Sequence, residues 1–480
     1  MKQKDFIFNI ILLIFLNLLI KPFWILGIDV GVQNSVGAES YGMYFAVFNF
    51  TYLFNMLLDM GITNFNNRNI ARHQQLLHKH LSGIITLKIL LGVVYMAVVF
   101  VVALIIGYRR LQLWFLFWMA INQFLNAFIL YLRSNISALL MFKTDSCLSV
   151  MDRLLMIVFC GILLWGGVTN EPFRIEWFIY CQTVAYLLTA LTALVIVVAK
   201  GKVTRLSWNP TFFLMILKKS LPFAILFLLM SFYNRIDSVM LERLLPAGVG
   251  ASEAGIYASA FRLLDALVMI AYLFSVILLP LFSKMLKNNE NITPIVKSSF
   301  SLLFLFSVTS VVLLECFRLP VMDLLYKEHV AESAAVFRFL IPGIIPISFT
   351  YIFGTMLTAH GDMRLLNITA IAGIMVNMAV NLLLIPRMQA VGAAIASLST
   401  QSVVALLQVA IAFRQLKVPV TALPLVQSLV FTAVLIPAVW YFSQRFQGHV
   451  LWALLITGAF SLLLGFATRL LNFDFTKVNR

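Results

Sequence analysis

From its amino terminus onward the chain offers one apolar run of about twenty residues after another, about fourteen in all, with few polar stretches between them. An apolar α-helix of that length spans the roughly 30 Å hydrocarbon core of a bilayer, whereas a barrel strand needs only about ten residues of alternating character. In hydrocarbon every backbone amide must be paired within its own segment or within a closed barrel, so runs this long are helices. The expected spans are residues 5–27, 41–63, 81–106, 111–132, 147–167, 175–199, 212–240, 254–283, 298–317, 334–359, 365–386, 389–413, 422–443 and 450–471. A composition of 62% hydrophobic and 11% charged residues, with a mean hydropathy of +0.97, is that of a chain solvated by lipid. The fold class is an all-α polytopic membrane protein.

Lys2 and Lys4 precede the first run in the manner of a secretory signal. The run is too long, contains Lys21 and Pro22, and lacks a small-residue cleavage site, so it reads as a retained helix. Cys147, Cys160, Cys181 and Cys316 lie in or beside apolar runs without CxxC spacing, which indicates neither a disulfide framework nor a metal site.

Lys and Arg in short loops stay on the cytoplasmic side. With fourteen spans the two termini share a side, and the loops of that side hold about 21 basic residues against 8 on the other. Both termini are therefore expected in the cytoplasm. The formal charge of +16 is dispersed over these loops, where topology and anionic headgroups account for it better than a nucleic-acid partner. No loop is large enough for a soluble catalytic domain, and no DxD or HExxH pattern is present. Whatever the protein does takes place within the membrane, and no catalytic residue is assigned.

Two short matches suggest an internal duplication. Glu39-Ser40-Tyr41-Gly42-Met43-Tyr44 opens the second run and Glu253-Ala254-Gly255-Ile256-Tyr257 the eighth, with Gly42 and Gly255 separated by 213 residues. Arg153-Leu154-Leu155-Met156-Ile157 and Arg364-Leu365-Leu366-Asn367-Ile368 are offset by 211. A period of six helices keeps the copies parallel, as in transporters built from repeated halves. The expected organisation is an amino-terminal six-helix lobe (1–200), a basic cytoplasmic connector (201–211), a second six-helix lobe (212–414), and two further helices with a short tail (415–480).

An ionised side chain near the bilayer centre costs about 2.5–3.5 kcal/mol on insertion scales, so it is retained mainly where a cavity or partner receives it. Lys21, sixteen residues into the first run, and Arg235 in the seventh precede their Gly-x-Tyr motifs by 21 and 20 residues, so the repeat places a cation at similar depth in each lobe. Arg262, eight residues into the eighth run, joins that level. These three cations are expected to face a shared cavity, against simpler roles as snorkelling groups or helical ion pairs such as Arg262 with Asp265. Asp59, Lys88, Arg133, Asp152, Arg153 and Asp362 read as anchors nearer the cytoplasmic ends, and Arg338 as an anchor near the outer end of the tenth run. Asp59, Asp237 and Asp265 are the carboxylates suited to proton or Na⁺ coupling; no other cofactor is indicated. Pro22, Pro222, Pro280, Pro342 and Pro346 are candidate kinks.

In the amino-terminal half, Val36-Gly37-Ala38-Glu39-Ser40-Tyr41-Gly42-Met43-Tyr44, continuing to Leu58-Asp59-Met60-Gly61-Ile62 and Asn66-Asn67-Arg68-Asn69-Ile70-Ala71, resembles the opening of Wzx-type oligosaccharide flippases. Arg235-Ile236-Asp237 and Gly255-Ile256-Tyr257 are similar to that family's second half. The resemblance implies the multidrug/oligosaccharidyl-lipid/polysaccharide exporter superfamily: two six-helix lobes in a V around a central cavity, opening alternately to each side. It implies a multi-pass protein of the bacterial inner membrane that moves an undecaprenyl-diphosphate-linked oligosaccharide to the periplasmic leaflet for O-antigen or capsule assembly. Lys21, Arg235 and Arg262 would then receive the diphosphate, with membrane lipids around the protein and a polysaccharide polymerase and glycosyltransferases as partners. A peptidoglycan-precursor flippase would share this architecture and charge, whereas a drug or cation antiporter of the superfamily should favour carboxylates.

Overall fold

The computed structural model describes residues 16–17, 19–63, 66, 70, 76–139, 141–201, 207–416, 422–445, 450–468 and 470. Both termini, whose cytoplasmic placement was expected, and residues 202–206 of the basic connector lie outside them. Among the described residues all regular structure is helical, and ten helices are long and apolar enough to cross a membrane. The protein is an all-α, multi-pass membrane protein.

The first helix, α1 (19–36), contains a π-helical segment, Trp24–Asp29, starting two residues after Pro22. A proline lacks the amide that would donate to the preceding turn, and one added residue per turn is a common local adjustment to such a defect. The chain breaks at Gly37 (φ 79°, ψ 166°), a conformation open to glycine, and continues as α2 (38–53). A short helix, Met56–Asp59, leads toward α3 (Leu76–Ile106), followed by α4 (Arg110–Ala138), α5 (Phe142–Trp165), α6 (Ile175–Gly201) and α7 (Pro210–Leu244). The next helix, α8 (Val249–Lys287), runs through Pro280, and α9 is Thr293–Cys316. Then α10 (Val330–His360) is interrupted by a 3₁₀ turn at Ile341–Gly343, around Pro342, and a π turn at Thr350–Gly354. Met363–Leu416 is two helices in series, α11 (363–388) and α12 (390–416), parted at Gln389 (φ 53°, ψ −130°). The last two are α13 (Ala422–Arg445) and α14 (Val450–Ala467).

Several helices outrun the apolar windows that signalled them, because a hydropathy window marks the hydrocarbon core and misses the polar turns in the headgroup region. Thus α5 begins at Phe142 rather than 147, its first turns carrying Lys143, Asp145 and Ser146. Likewise α8 begins at Val249 rather than 254, and α1 continues to residue 36 rather than 27. These shifts change where the charged residues stand along their helices.

The chain divides into two compact units, residues 1–255 and 256–480. In the first, α7 and the opening turns of α8 pack on α2. A large apolar cluster built on Leu81, Leu132, Leu148, Val197 and Ile216 joins α3, α4, α5, α6 and α7. In the second unit α9 packs against α13 and α14 through Leu305, Val308, Phe431 and Leu435.

The two glycines of the Gly-x-Tyr motifs meet each other. A Cβ on Gly42 would lie 1.8 Å from the Ala251 carbonyl oxygen, and one on Gly255 would lie 2.0 Å from the Ala38 carbonyl oxygen. Ala38 and Ala251 are separated by the same 213 residues as the glycines, so the crossing is reciprocal about a local two-fold. Tyr44 stacks on Phe48 and, 213 residues on, Tyr257 stacks on Phe261, with interplanar angles of 22° and 23°. The other match lacks this support. Arg153 lies at the middle of α5 and Arg364 in the first turn of α11, so the Arg-Leu-Leu resemblance is not a structural equivalence.

Candidate functional site

At 1.5 Å per residue Lys21 lies about 22 Å along α1 from the corner at Gly37. Lys21 is half-buried, and its charged neighbours are Arg153, Asp152 and Arg133. Arg153 is about 16 Å from one end of α5 and about 18 Å from the other, at the middle of the helix. Its guanidinium lies over the rings of Trp24 (5.6 Å) and Tyr186 (5.7 Å), with the Asp152 carboxylate at 3.6 Å. Arg133 bonds Asp145 at 2.8 Å.

Aromatic side chains frame this group. Trp24 stacks on Phe178 at 5.7 Å, and Tyr44 meets the same ring edge-on at 5.2 Å. Gln182 donates to the Tyr186 hydroxyl (3.3 Å) and accepts from Asn122 (3.4 Å). One unit therefore joins π-bearing surface, amide hydrogen-bonding groups and cations. Arg153 read as an anchor near a helix end because its helix was placed too short; the signal available in the sequence was a Lys143-x-Asp145-Ser146 stretch that is polar yet free of helix breakers. Asp29 was likewise unanticipated. It is 2% exposed, at the end of the π segment and in electrostatic range of Cys160.

The other expected residues each have surroundings of their own. Arg235, about 14 Å from the carboxyl end of α7, lies over the Tyr52 ring of α2 at 5.3 Å. Asp237 is buried at 1% exposure, and beside it Ser238 accepts a hydrogen bond from Asn49 (2.9 Å). Arg262 and Asp265 are half-buried on the part of α8 that belongs to the second unit, with Arg262 about 20 Å from the start of the helix rather than 12 Å. Asp59 forms an ion pair with Lys88, which is 2% exposed and also donates to the Leu58 carbonyl at 3.0 Å. Asp59 further accepts from the Thr63 amide at 3.2 Å.

At the end of the first unit that holds the Gly37 corner, Glu242 pairs with Arg243 and accepts from Gln112. The Arg243 guanidinium lies over Tyr108 at 4.3 Å and reaches the Gly107 carbonyl at 3.4 Å. Close by, Gln33 donates to the Gly255 carbonyl at 3.0 Å. These bonds tie α1, the α3–α4 corner and the α7–α8 corner together around the glycine crossing.

The family described as "Polysaccharide biosynthesis protein" matches residues 7–286, and the MatE family matches residues 222–383. No protein of curated function matches the chain by sequence. Among solved structures, the lipid II flippase MurJ in an inward closed conformation is 12% identical at a TM-score of 0.70, over 96% of this chain and 98% of that one. An inward-facing multidrug resistance MATE family transporter of the MOP superfamily is 14% identical at 0.63, over 82% and 94%. A MOP superfamily transporter from Pyrococcus furiosus, described by the reverse polarity of its binding pocket, is 13% identical at 0.59, over 85% and 94%.

Proposed function

Because the chain belongs to the polysaccharide biosynthesis protein family and has the fold of the MOP superfamily, we propose that it is a flippase for an undecaprenyl-diphosphate-linked oligosaccharide. The observation that carries this reading is a cluster of cations within apolar helices: Lys21 has Arg153 and Arg133 as charged neighbours, against the carboxylates of Asp152 and of Asp145, which pairs with Arg133. Cations in hydrocarbon are retained where a cavity, partner or ligand receives them, and a lipid diphosphate is an anion delivered from the membrane itself. A cationic drug would be repelled by the same group.

In this reading the residues form an amino-terminal six-helix lobe (1–200) and a second lobe (212–414) around a cavity that opens to each leaflet in turn, with α13 and α14 appended. Lys21, Arg235 and Arg262 receive the diphosphate in the cavity, and the tail stays in lipid. Asp237 and Asp265 are the carboxylates suited to proton or Na⁺ coupling, while the partnership of Asp59 with Lys88 favours a structural role for it. The protein resides in the bacterial inner membrane beside the polymerase and glycosyltransferases of its pathway. Deleting the gene tests this: lipid-linked oligosaccharide should accumulate in the cytoplasmic leaflet, open to probes in inside-out vesicles and shielded in right-side-out ones. Accumulation of lipid II instead would assign a peptidoglycan-precursor flippase; an unchanged leaflet distribution would refute the reading.

A further inference from the structure

A cleft of about 270 Å³ lies in the first unit where α1 turns into α2, against the starts of α4 and α6. The corner at Gly37 makes it: the chain changes direction there, so Ser35 from the last turn of α1 and Ser40 from the first turn of α2 line one space. Phe115 of α4, with Phe173, Arg174 and Glu176 at the start of α6, completes the walls. Ser35 gives its proton to the Gly31 carbonyl at 2.8 Å and keeps its oxygen as an acceptor. Arg174 pairs with Glu171 at 2.9 Å, both side chains exposed. Glu176 is half-buried, and among the described residues no hydrogen bond or ion pair engages its carboxylate or the Ser40 hydroxyl. Phe173 is held edge-on by Trp177 at 5.9 Å, and Phe115 is buried.

A carboxylate accepts from two neighbouring hydroxyls at once, serine hydroxyls bond other hydroxyls in either sense, and an aromatic ring covers an apolar C–H face. A ligand with a polyhydroxylated edge and an apolar face uses all three. A simple anion would meet the Glu176 charge and a simple cation that of Arg174. The cleft is smaller than the roughly 300–1,000 Å³ of sites for drug-sized ligands, which suits it to a single ring.

We propose that this cleft binds one sugar residue of the transported glycan, with Glu176 accepting from two ring hydroxyls, Ser35 and Ser40 bonding a third, and Phe173 covering the apolar face. The inference rests on the flippase reading, in which termini in the cytoplasm turn the Gly37 corner toward the periplasm, so that the cleft receives the glycan on the side of delivery.

The test is saturation-transfer NMR on the full-length protein in nanodiscs, with free N-acetylglucosamine, glucose and rhamnose as probes. Wild type should transfer saturation to at least one of these sugars. Glu176→Gln keeps the shape and removes the charged acceptor, and its apparent affinity for that sugar should fall about tenfold. Ser40→Leu fills the cleft and should abolish the transfer. Equal binding by wild type and both folded variants would put the sugar elsewhere and overturn the assignment, and so would a wild type that binds none of the three. The flippase reading is scored separately, by the leaflet distribution of lipid-linked oligosaccharide in the deletion strain. Accumulation in the cytoplasmic leaflet together with no sugar binding refutes the cleft and leaves that reading standing. Sugar binding lost in Glu176→Gln together with an unchanged leaflet distribution supports the cleft as a sugar site and refutes its part in transport.

Discussion

Replacing Gly42 with alanine puts one methyl group into the α2–α8 crossing, and the geometry sets the size of the effect. The new Cβ would lie 1.8 Å from the Ala251 carbonyl oxygen and 2.4 Å from the Gly255 nitrogen. Ordinary contact begins near 3.4 Å, so the two helices must part by about 1.6 Å. The obstacle is backbone at both atoms, with no side chain to rotate away, which places the strain at the upper end of the 1–3 kcal/mol typical of overpacking. Alanine returns up to about 1 kcal/mol as a better helix former than glycine. The net cost is about 2 kcal/mol, a shift of roughly thirtyfold in the equilibrium between closed and parted helices. Gly255→Ala, with its Cβ 2.0 Å from the Ala38 carbonyl oxygen, should cost a similar amount. The double variant should cost much less than the sum, because once the helices have parted for one methyl there is room for the other. Gly458→Ala, with no atom within 4 Å of the added Cβ, is the control and should be neutral or stabilising. Thermal unfolding in detergent reads all four. An apparent Tm for Gly42→Ala equal to or above that of wild type would refute the crossing as described.

Three further outcomes follow from the same geometry. Lys88→Met strands the Asp59 carboxylate and should destabilise by about 3 kcal/mol, while Lys88→Met/Asp59→Leu should recover much of the loss in the same unfolding measurement. Glu242→Ala releases both Arg243 and Gln112, so amide exchange over residues 107–113 should accelerate about tenfold with the rest of the first unit unchanged. Tyr52→Leu removes the ring beneath Arg235 and should cost about 1 kcal/mol, a loss that Tyr52→Phe should not reproduce in thermal unfolding.

The membrane class, the helical content and most helix positions were legible because the bilayer forces apolar length into the sequence, a constraint each segment must satisfy alone. Glycines 42 and 255 were legible as a pair for a related reason: only a residue without Cβ fits where two backbones touch, and the duplication wrote it twice. Helix ends were poorly legible. Headgroup-level turns tolerate polar side chains, so the first turns of α5 looked like loop, and Arg153 was placed near a helix end when it lies at the middle of the helix. The π segment at Trp24–Asp29 was hidden as well, since a single extra residue in one turn leaves the hydropathy of α1 unchanged while turning Asp29 inward. The aromatic rings near Arg153 unite residues 24, 153 and 186, and no local pattern in one sequence connects positions so far apart.

The central claim is that cations within the apolar helices carry an anionic lipid-linked glycan across the bilayer. It is tested most directly in liposomes holding the purified protein, by following the passage of a fluorescent undecaprenyl-diphosphate oligosaccharide between leaflets for wild type, Lys21→Ala and Arg235→Ala at matched protein levels. Flipping by wild type that falls at least tenfold in both folded variants is the result this account predicts; equal flipping in all three, or efflux of a cationic dye in place of the glycolipid, would contradict it.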